Sequence, residues 1–205
     1  MNEILFEQFC NAEVSHDLLY KRGVIDIFQH LKTLRHYASQ CSHVTEMGTR
    51  FAISTQAFIM GRPKTFVSID LNYNFFIPYE SEIKNLADQM GVNFTFINSD
   101  VLKIDIDQTD CLFIDTLHTY EQLTKELHKH ANKVNKWIIL HDTVTFGYKN
   151  EEYYTNASIS SELDKVNDKQ GLFAAVCEFI DSNETNWIIK EHFTKNNGLT
   201  VLERV

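Results

Sequence analysis

The chain has 205 residues, 43% of them apolar, with 28 acidic against 19 basic side chains and a formal net charge of -9. That is enough apolar material for one full core, so a single domain over residues 1–205 is expected, with no linker rich in Pro, Gly or Ser to divide it. The negative balance excludes a broad cationic surface able to displace counterions from a nucleic acid, and no stretch approaches the roughly 20 apolar residues that span a bilayer.

The first 42 residues read as a helical N-terminal segment. Its acidic start, Glu3, Glu7, Glu13 and Asp17, lacks the basic and then apolar run of a signal peptide, so a cytoplasmic chain with no membrane partner is expected. Cys10, Cys41, Cys111 and Cys177 are far apart and show no CxxC spacing, which argues for reduced thiols rather than a zinc cluster or a disulfide framework. Val24, Ile27, Phe28, Leu31, Leu34 and Ala38 recur at helical spacing and predict an amphipathic helix over Val24 to Ala38.

A strand at Val44 to Met47 then leads through Gly48-Thr49-Arg50 into a helix over Phe51 to Ile59. Phe66 to Asp70 gives a second strand, Tyr79 to Met90 a helix stopped by Gly91, and Phe94 to Asn98 a third strand. Cys111 to Asp115 is apolar up to its acid, as a parallel strand covered on both faces should be. A helix is predicted over Tyr120 to Val134, with His128 and His130 as surface residues and Lys125, Lys129, Lys133 and Lys136 as a solvated face; the strand Trp137 to Leu140 follows. Thr143 to Gln170 is polar, carries Phe146, Tyr148, Tyr153 and Tyr154, and is long for a connection. A lid or substrate loop is expected at 143–170, with a short helix near Ile159 to Val166. Leu172 to Ile180 predicts a helix with Phe173, Val176, Cys177 and Ile180 inward. Trp187-Ile188-Ile189 and Leu199 to Leu202 close the chain as a hairpin around Lys195-Asn196-Asn197-Gly198.

This alternation predicts a doubly wound α/β fold: a mostly parallel seven-stranded sheet ending in an antiparallel hairpin strand. Four of the apolar runs finish on an acid, Glu46, Asp70, Asp115 and Asp142. In such a sheet the carboxyl ends of the strands line one edge, where ligands bind, so these acids converge. Carboxylates gathered there hold ribose hydroxyls, a cationic ligand or a divalent metal, and they repel phosphate. Only Gly48 remains of a GxGxxG pattern, with Arg50 and Ala52 where further glycines would stand, which opposes an NAD-dependent oxidoreductase. S-adenosylmethionine fits better: it has no phosphate, carries a sulfonium, and offers ribose hydroxyls to Asp70.

The run Glu46-Met47-Gly48-Thr49-Arg50-Phe51-Ala52-Ile53-Ser54-Thr55 resembles the E-x-G-x-x-x-G motif of class I S-adenosylmethionine-dependent methyltransferases, whose fold is Rossmann-like. Ile114-Asp115-Thr116-Leu117-His118-Thr119-Tyr120 resembles the I-D-x-x-H-x-Y signature of a branch related to cephalosporin-hydroxylase and macrocin O-methyltransferase proteins, and Leu140-His141-Asp142-Thr143 follows in the same order. The resemblance implies that Glu46, Gly48 and Thr49 line the methionine end of the cofactor, Asp70 the ribose, and Ser99 and Asp100 the adenine, with Ser54 also cofactor-binding. Asp115 and Asp142 match positions that hold magnesium in metal-dependent members. Those members usually carry Glu-Asp where this chain has His141-Asp142, and since magnesium prefers oxygen ligands a histidine there leaves a thinner site or favours a softer ion. The implied activity is O-methylation of a small molecule or sugar, with Asp115, His118, His141 and Asp142 around the transferred methyl and His118 or His141 as base. A cofactor-binding module without catalysis is the alternative from another class. A homo-oligomer is also expected from the family.

Overall fold

The structure, a computed structural model, describes residues 3–11, 26–152, 169–182 and 186–205. Its strands are β1 (His43–Met47), β2 (Thr65–Asp70), β3 (Asn93–Asn98), β4 (Thr109–Ile114), β5 (Val134–His141), β6 (Trp187–Phe193) and β7 (Leu199–Arg204). They form one sheet in the order β3-β2-β1-β4-β5-β7-β6. The first five are parallel; β7 runs antiparallel to both β5 and β6.

Alternate residues of the central strands bury into two separate layers, as the two-residue period of a strand requires. On one face Val44, Phe66, Cys111, Phe113 and Ile139 pack with α2 (Leu31–Ala38), α3 (Ile53–Met60) and α5 (Glu80–Met90). On the other, Met47, Ile69, Leu112, Ile138 and Leu140 pack with α6 (Tyr120–His130) and α7 (Leu172–Asp181). Residues 99–108 cross from β3 to β4 without a helix and cover that second face with Val101 and Ile106. Before α2, α1 (Glu3–Cys10) is anchored by buried Phe6 and by Glu7, which pairs with Lys32 at 3.1 Å and Arg35 at 3.3 Å. A short α4 (Tyr73–Phe76) and a 3-10 turn, Ile77–Tyr79, precede α5.

Several expectations change in detail. The helix expected over Val24 to Ala38 is a 3-10 turn, Phe28–His30, followed by α2; residues 24 and 25 lie outside those described. On α7 the buried face is Leu172, Ala175, Val176 and Phe179, while Cys177 is exposed. The spacing i, i+3, i+4, i+7 selects that stripe as well as the expected one, and docking against α6 and β5 decides between them. His130 is buried, not superficial: its Nε2 lies 2.9 Å from the Val101 carbonyl and fastens the β3–β4 crossing to α6. Lys136 belongs to β5 rather than to a helix, and its ammonium donates to the Gln40 carbonyl at 2.7 Å. Of the expected 143–170 loop, residues 143–152 dock onto the domain, with Phe146 N–H donating to the Asp142 carbonyl and the amides of Val144 and Thr145 to that of Asn197. The helix expected near Ile159 to Val166 lies outside the described residues.

Candidate active site

The strand order reverses between β1 and β4, so the crevice at the carboxyl ends of these strands is the topological switch point. The β1–α3 loop forms its floor. Gly48 takes φ +90°, and a Cβ there would sit 1.9 Å from the Asp115 carbonyl oxygen, so the glycine is required by the close approach of β4. Arg50 and Ala52, at the positions where further glycines would stand, take φ 43° and 59°, the left-handed region that costs a side chain about 1 kcal/mol or more. The loop has a glycine's conformation without its residues.

Asp70 holds the loop in that conformation. Its Oδ2 accepts the backbone N–H groups of Thr49 and Arg50, each at 2.8 Å, and its Oδ1 accepts that of Asn72 at 2.8 Å. Glu46 is fully buried beneath the loop, where it accepts hydroxyl hydrogen bonds from Ser54 (2.6 Å), Thr55 (2.7 Å) and Ser68 (2.5 Å). Burial pushes its carboxyl up to about 7, against the lowering effect of these hydroxyls. Glu46 and Ser54, expected at the cofactor, are therefore turned into the interior and bond each other, and Thr49 is buried with its hydroxyl against that of Ser68. Ser99 donates its N–H to the Asp70 carbonyl at 3.0 Å, and Asp100 accepts the Leu102 N–H at 2.9 Å, so both stand just past the carboxyl end of β3.

At the ends of β4 and β5 a second cluster forms from Asp115, His118, His141 and Asp142. His118 Nε2 lies 3.2 Å from Asp115 Oδ1 and 3.0 Å from Asp142 Oδ2, while its Nδ1 lies 2.7 Å from Glu151 Oε2. Its ring stacks on Phe146 with centroids 4.8 Å apart. Burial disfavours a charged His118, but the three carboxylates outweigh it and raise the imidazole to about 12. His141 is buried; its Nε2 is 3.2 Å from the carbonyls of both Asp26 and Asn196, and its Nδ1 is 3.4 Å from Asp115 and Asp142. Burial opposes its charge too, and Asp115 and Asp142 raise it well above the ordinary histidine range. Asp115 shows the converse: burial favours its neutral form, and the two histidines overcome this and hold it below the usual carboxylate range. Asp142 adopts φ 59°, a strained conformation that aims its side chain into the cluster.

Among the described residues two buried atoms here have no well-aligned hydrogen-bond partner: Asp142 Oδ1, and His141 Nδ1, which has only its 3.4 Å approaches to Asp115 and Asp142. The carbonyls at His141 Nε2 and the carboxylate at His118 Nδ1 call for N–H on those nitrogens and turn the other nitrogen of each ring toward Asp115 and Asp142. Metal-binding histidines are oriented in this way. Asp115, His118 and Asp142 each offer one ligand atom within 4.8 Å of the others. This donor set suits a cation, and its nitrogens favour iron or zinc over magnesium.

The four strand-end acids are thus divided between a loop-holding pair and a histidine-bearing pair. Glu151, Asp26 and Phe146 join the second from distant parts of the chain. Phe146 and Glu151 fall within the 143–170 stretch expected to wall the substrate, but nothing in the local sequence marks Glu151 or Asp26 as a partner of a histidine, since each lies in an irregular segment whose path only the folded chain sets.

No family model matches the chain, and no curated protein matches its sequence. Solved structures match its fold. An O-methyltransferase from Bacillus cereus in complex with S-adenosylhomocysteine is 13% identical with a TM-score of 0.61, over 100% of this chain and 92% of that one. The O-methyltransferase TomG from Streptomyces achromogenes, involved in tomaymycin synthesis and solved with S-adenosylmethionine, is 12% identical with a TM-score of 0.59, over 100% and 91%. The S-adenosylhomocysteine-bound methyltransferase PaMTH1 from Podospora anserina is 10% identical with a TM-score of 0.56, over 87% and 77%.

Proposed function

With the class I methyltransferase fold as premise, we propose that this chain is an S-adenosylmethionine-dependent O-methyltransferase of a small hydroxylated acceptor, sugars included, assisted by a divalent cation. The observation that carries the reading is the cluster of Asp115, His118, His141 and Asp142 beside the β1–α3 loop at the switch point. The cofactor supplies an electrophilic methyl on a sulfonium. A crevice lined by carboxylates suits that positive group and disfavours the phosphates of a dinucleotide.

The chain's own residues divide the work. An ionised carboxylate has about four acceptor positions; Asp70 uses three on its loop, which leaves one for a ribose hydroxyl. Asp115 and Asp142, with His118 Nε2 and His141 Nδ1, would hold the cation, which would lower the pKa of a bound hydroxyl. Glu151 orients His118 and the Asp26 and Asn196 carbonyls orient His141. Asp115, held ionised by the two histidines, would anchor the cation; the acceptor hydroxyl, acidified by that cation, would lose its proton toward solvent on the side of the cluster where the Asp115 side chain stays 25% exposed. The remaining acceleration comes from holding acceptor oxygen and methyl in line.

The test is transfer of labelled methyl to a panel of hydroxylated small molecules, with and without EDTA. Metal-stimulated turnover that Asp115→Asn with Asp142→Asn abolishes is expected; full activity in that double variant removes the metal assignment. A second reading, a cofactor-binding module without catalysis, is favoured by the way Asp70 and Glu46 are satisfied internally. Binding of S-adenosylhomocysteine with no acceptor methylated would select it.

A further inference from the structure

The two edges of the sheet are built differently. β6 carries Lys190 and Glu191 and shifts register between Ile189 and Glu191, and charges and bulges of this kind blunt an edge against further pairing. β3, at the opposite edge, reads Asn93-Phe94-Thr95-Phe96-Ile97-Asn98. It has no charge, no proline and an unbroken register with β2.

The backbone polarity of β3 follows from its hydrogen bonds. Asn93 N–H donates to the Lys64 carbonyl at 3.1 Å, and Ser99 N–H, just past the strand, to that of Asp70 at 3.0 Å. Odd-numbered residues therefore address β2. In a parallel pair the residues between them point their N–H and C=O groups the other way, so Phe94, Phe96 and Asn98 present donors and acceptors outward. Among the described residues no strand pairs with that side.

We propose that β3 pairs antiparallel with β3 of a second copy of this chain, about a two-fold axis at Phe96. Phe96 then faces Phe96 of the second copy as a hydrogen-bonded pair, and Phe94 faces Asn98 in both directions, which closes about six main-chain hydrogen bonds. The pattern is self-complementary, as an isologous interface requires. Thr95 falls opposite Ile97 of the second copy in a close, non-hydrogen-bonded pair. Ile97, 37% exposed on the face away from α5, is covered by it. Leu71, 60% exposed, lies at the same end of the strand, where Asn98 Nδ2 donates to its carbonyl at 2.9 Å. The strand has no charge to repel its copy, although α5, packed on β3, carries Glu80, Glu82 and Asp88 and each chain has a net charge of -9. Added salt therefore tightens the dimer by screening.

Sedimentation equilibrium of the full chain over a micromolar range tests this. A monomer–dimer equilibrium is expected, strengthened by salt. Thr95→Lys, at an exposed position, should weaken it at least tenfold while the thermal midpoint of the monomer stays unchanged. The register is read in a Cys177→Ser background: Thr95→Cys mixed with Ile97→Cys should give a disulfide-linked dimer on oxidation, and neither alone should, because like residues lie diagonally beyond bridging distance. A chain that stays monomeric throughout overturns the proposal, as it would if another part of the same chain covered the edge. A dimer indifferent to Thr95→Lys, or no crosslink in the mixture, overturns it equally.

Discussion

Glu46 shows what burial does to a residue that local sequence marks as a ligand. Burial penalises the charge and pushes its carboxyl up to about 7 in the folded chain. A group that holds its proton more tightly folded than unfolded stabilises most below its unfolded pKa, and that contribution is lost as pH rises. Stability should thus fall by about 3 kcal/mol between pH 4.5 and 7 from this group. Urea unfolding at pH 5 and pH 7.5 should show that fall in the native chain and a shallower one in Glu46→Gln; identical pH dependence in both would remove the assignment. Asp70 carries two duties. Asp70→Ala leaves the amides of Thr49, Arg50 and Asn72 without their acceptor, so a stability loss of about 1–3 kcal/mol is expected. Calorimetric titration should also show S-adenosylhomocysteine binding weakened tenfold or more. Unchanged affinity would mean that Asp70 only supports the loop.

Among the elements, the β1–α3 loop is where sequence and backbone meet most tightly. The absence of glycine at Arg50 and Ala52 reads as a departure from a nucleotide-binding pattern, yet the backbone keeps left-handed φ at both. The local conformation is imposed by Asp70 and by packing of α3, not by the residues' own preference. Gly48 cannot be replaced so, since a Cβ meets main chain of β4. Gly48→Ala should cost at least about 2 kcal/mol in denaturant unfolding, against about 1 kcal/mol for Gly91→Ala, where φ is +69° but the space is open. Equal costs would show that the steric contact with Asp115 relaxes freely. Helix faces were less legible than helices. On α7 both candidate stripes are apolar, and the docked partner, not the periodicity, chose the one that includes Ala175 and Phe179.

For the whole molecule, the two-layer burial predicts a gradient of local stability. Amides of β4 and β5, covered on both faces, should exchange slowest with solvent, and those of β6, mostly exposed, fastest. Exchange measured by NMR that is as slow in β6 as in β4 would contradict this layering. The sequence by itself determined the parallel sheet, the closing hairpin and the gathering of acids at one edge, because strand alternation, apolar runs and turn residues are local signals that a common topology then aligns. Only the tertiary structure decided which acids face the crevice and which are sealed under it, and that His118 meets Glu151 and His141 meets Asp26 and Asn196. Those contacts join residues as much as 115 positions apart. Solvent access and charge pairing arise only once the layers close, so no window of sequence carries them.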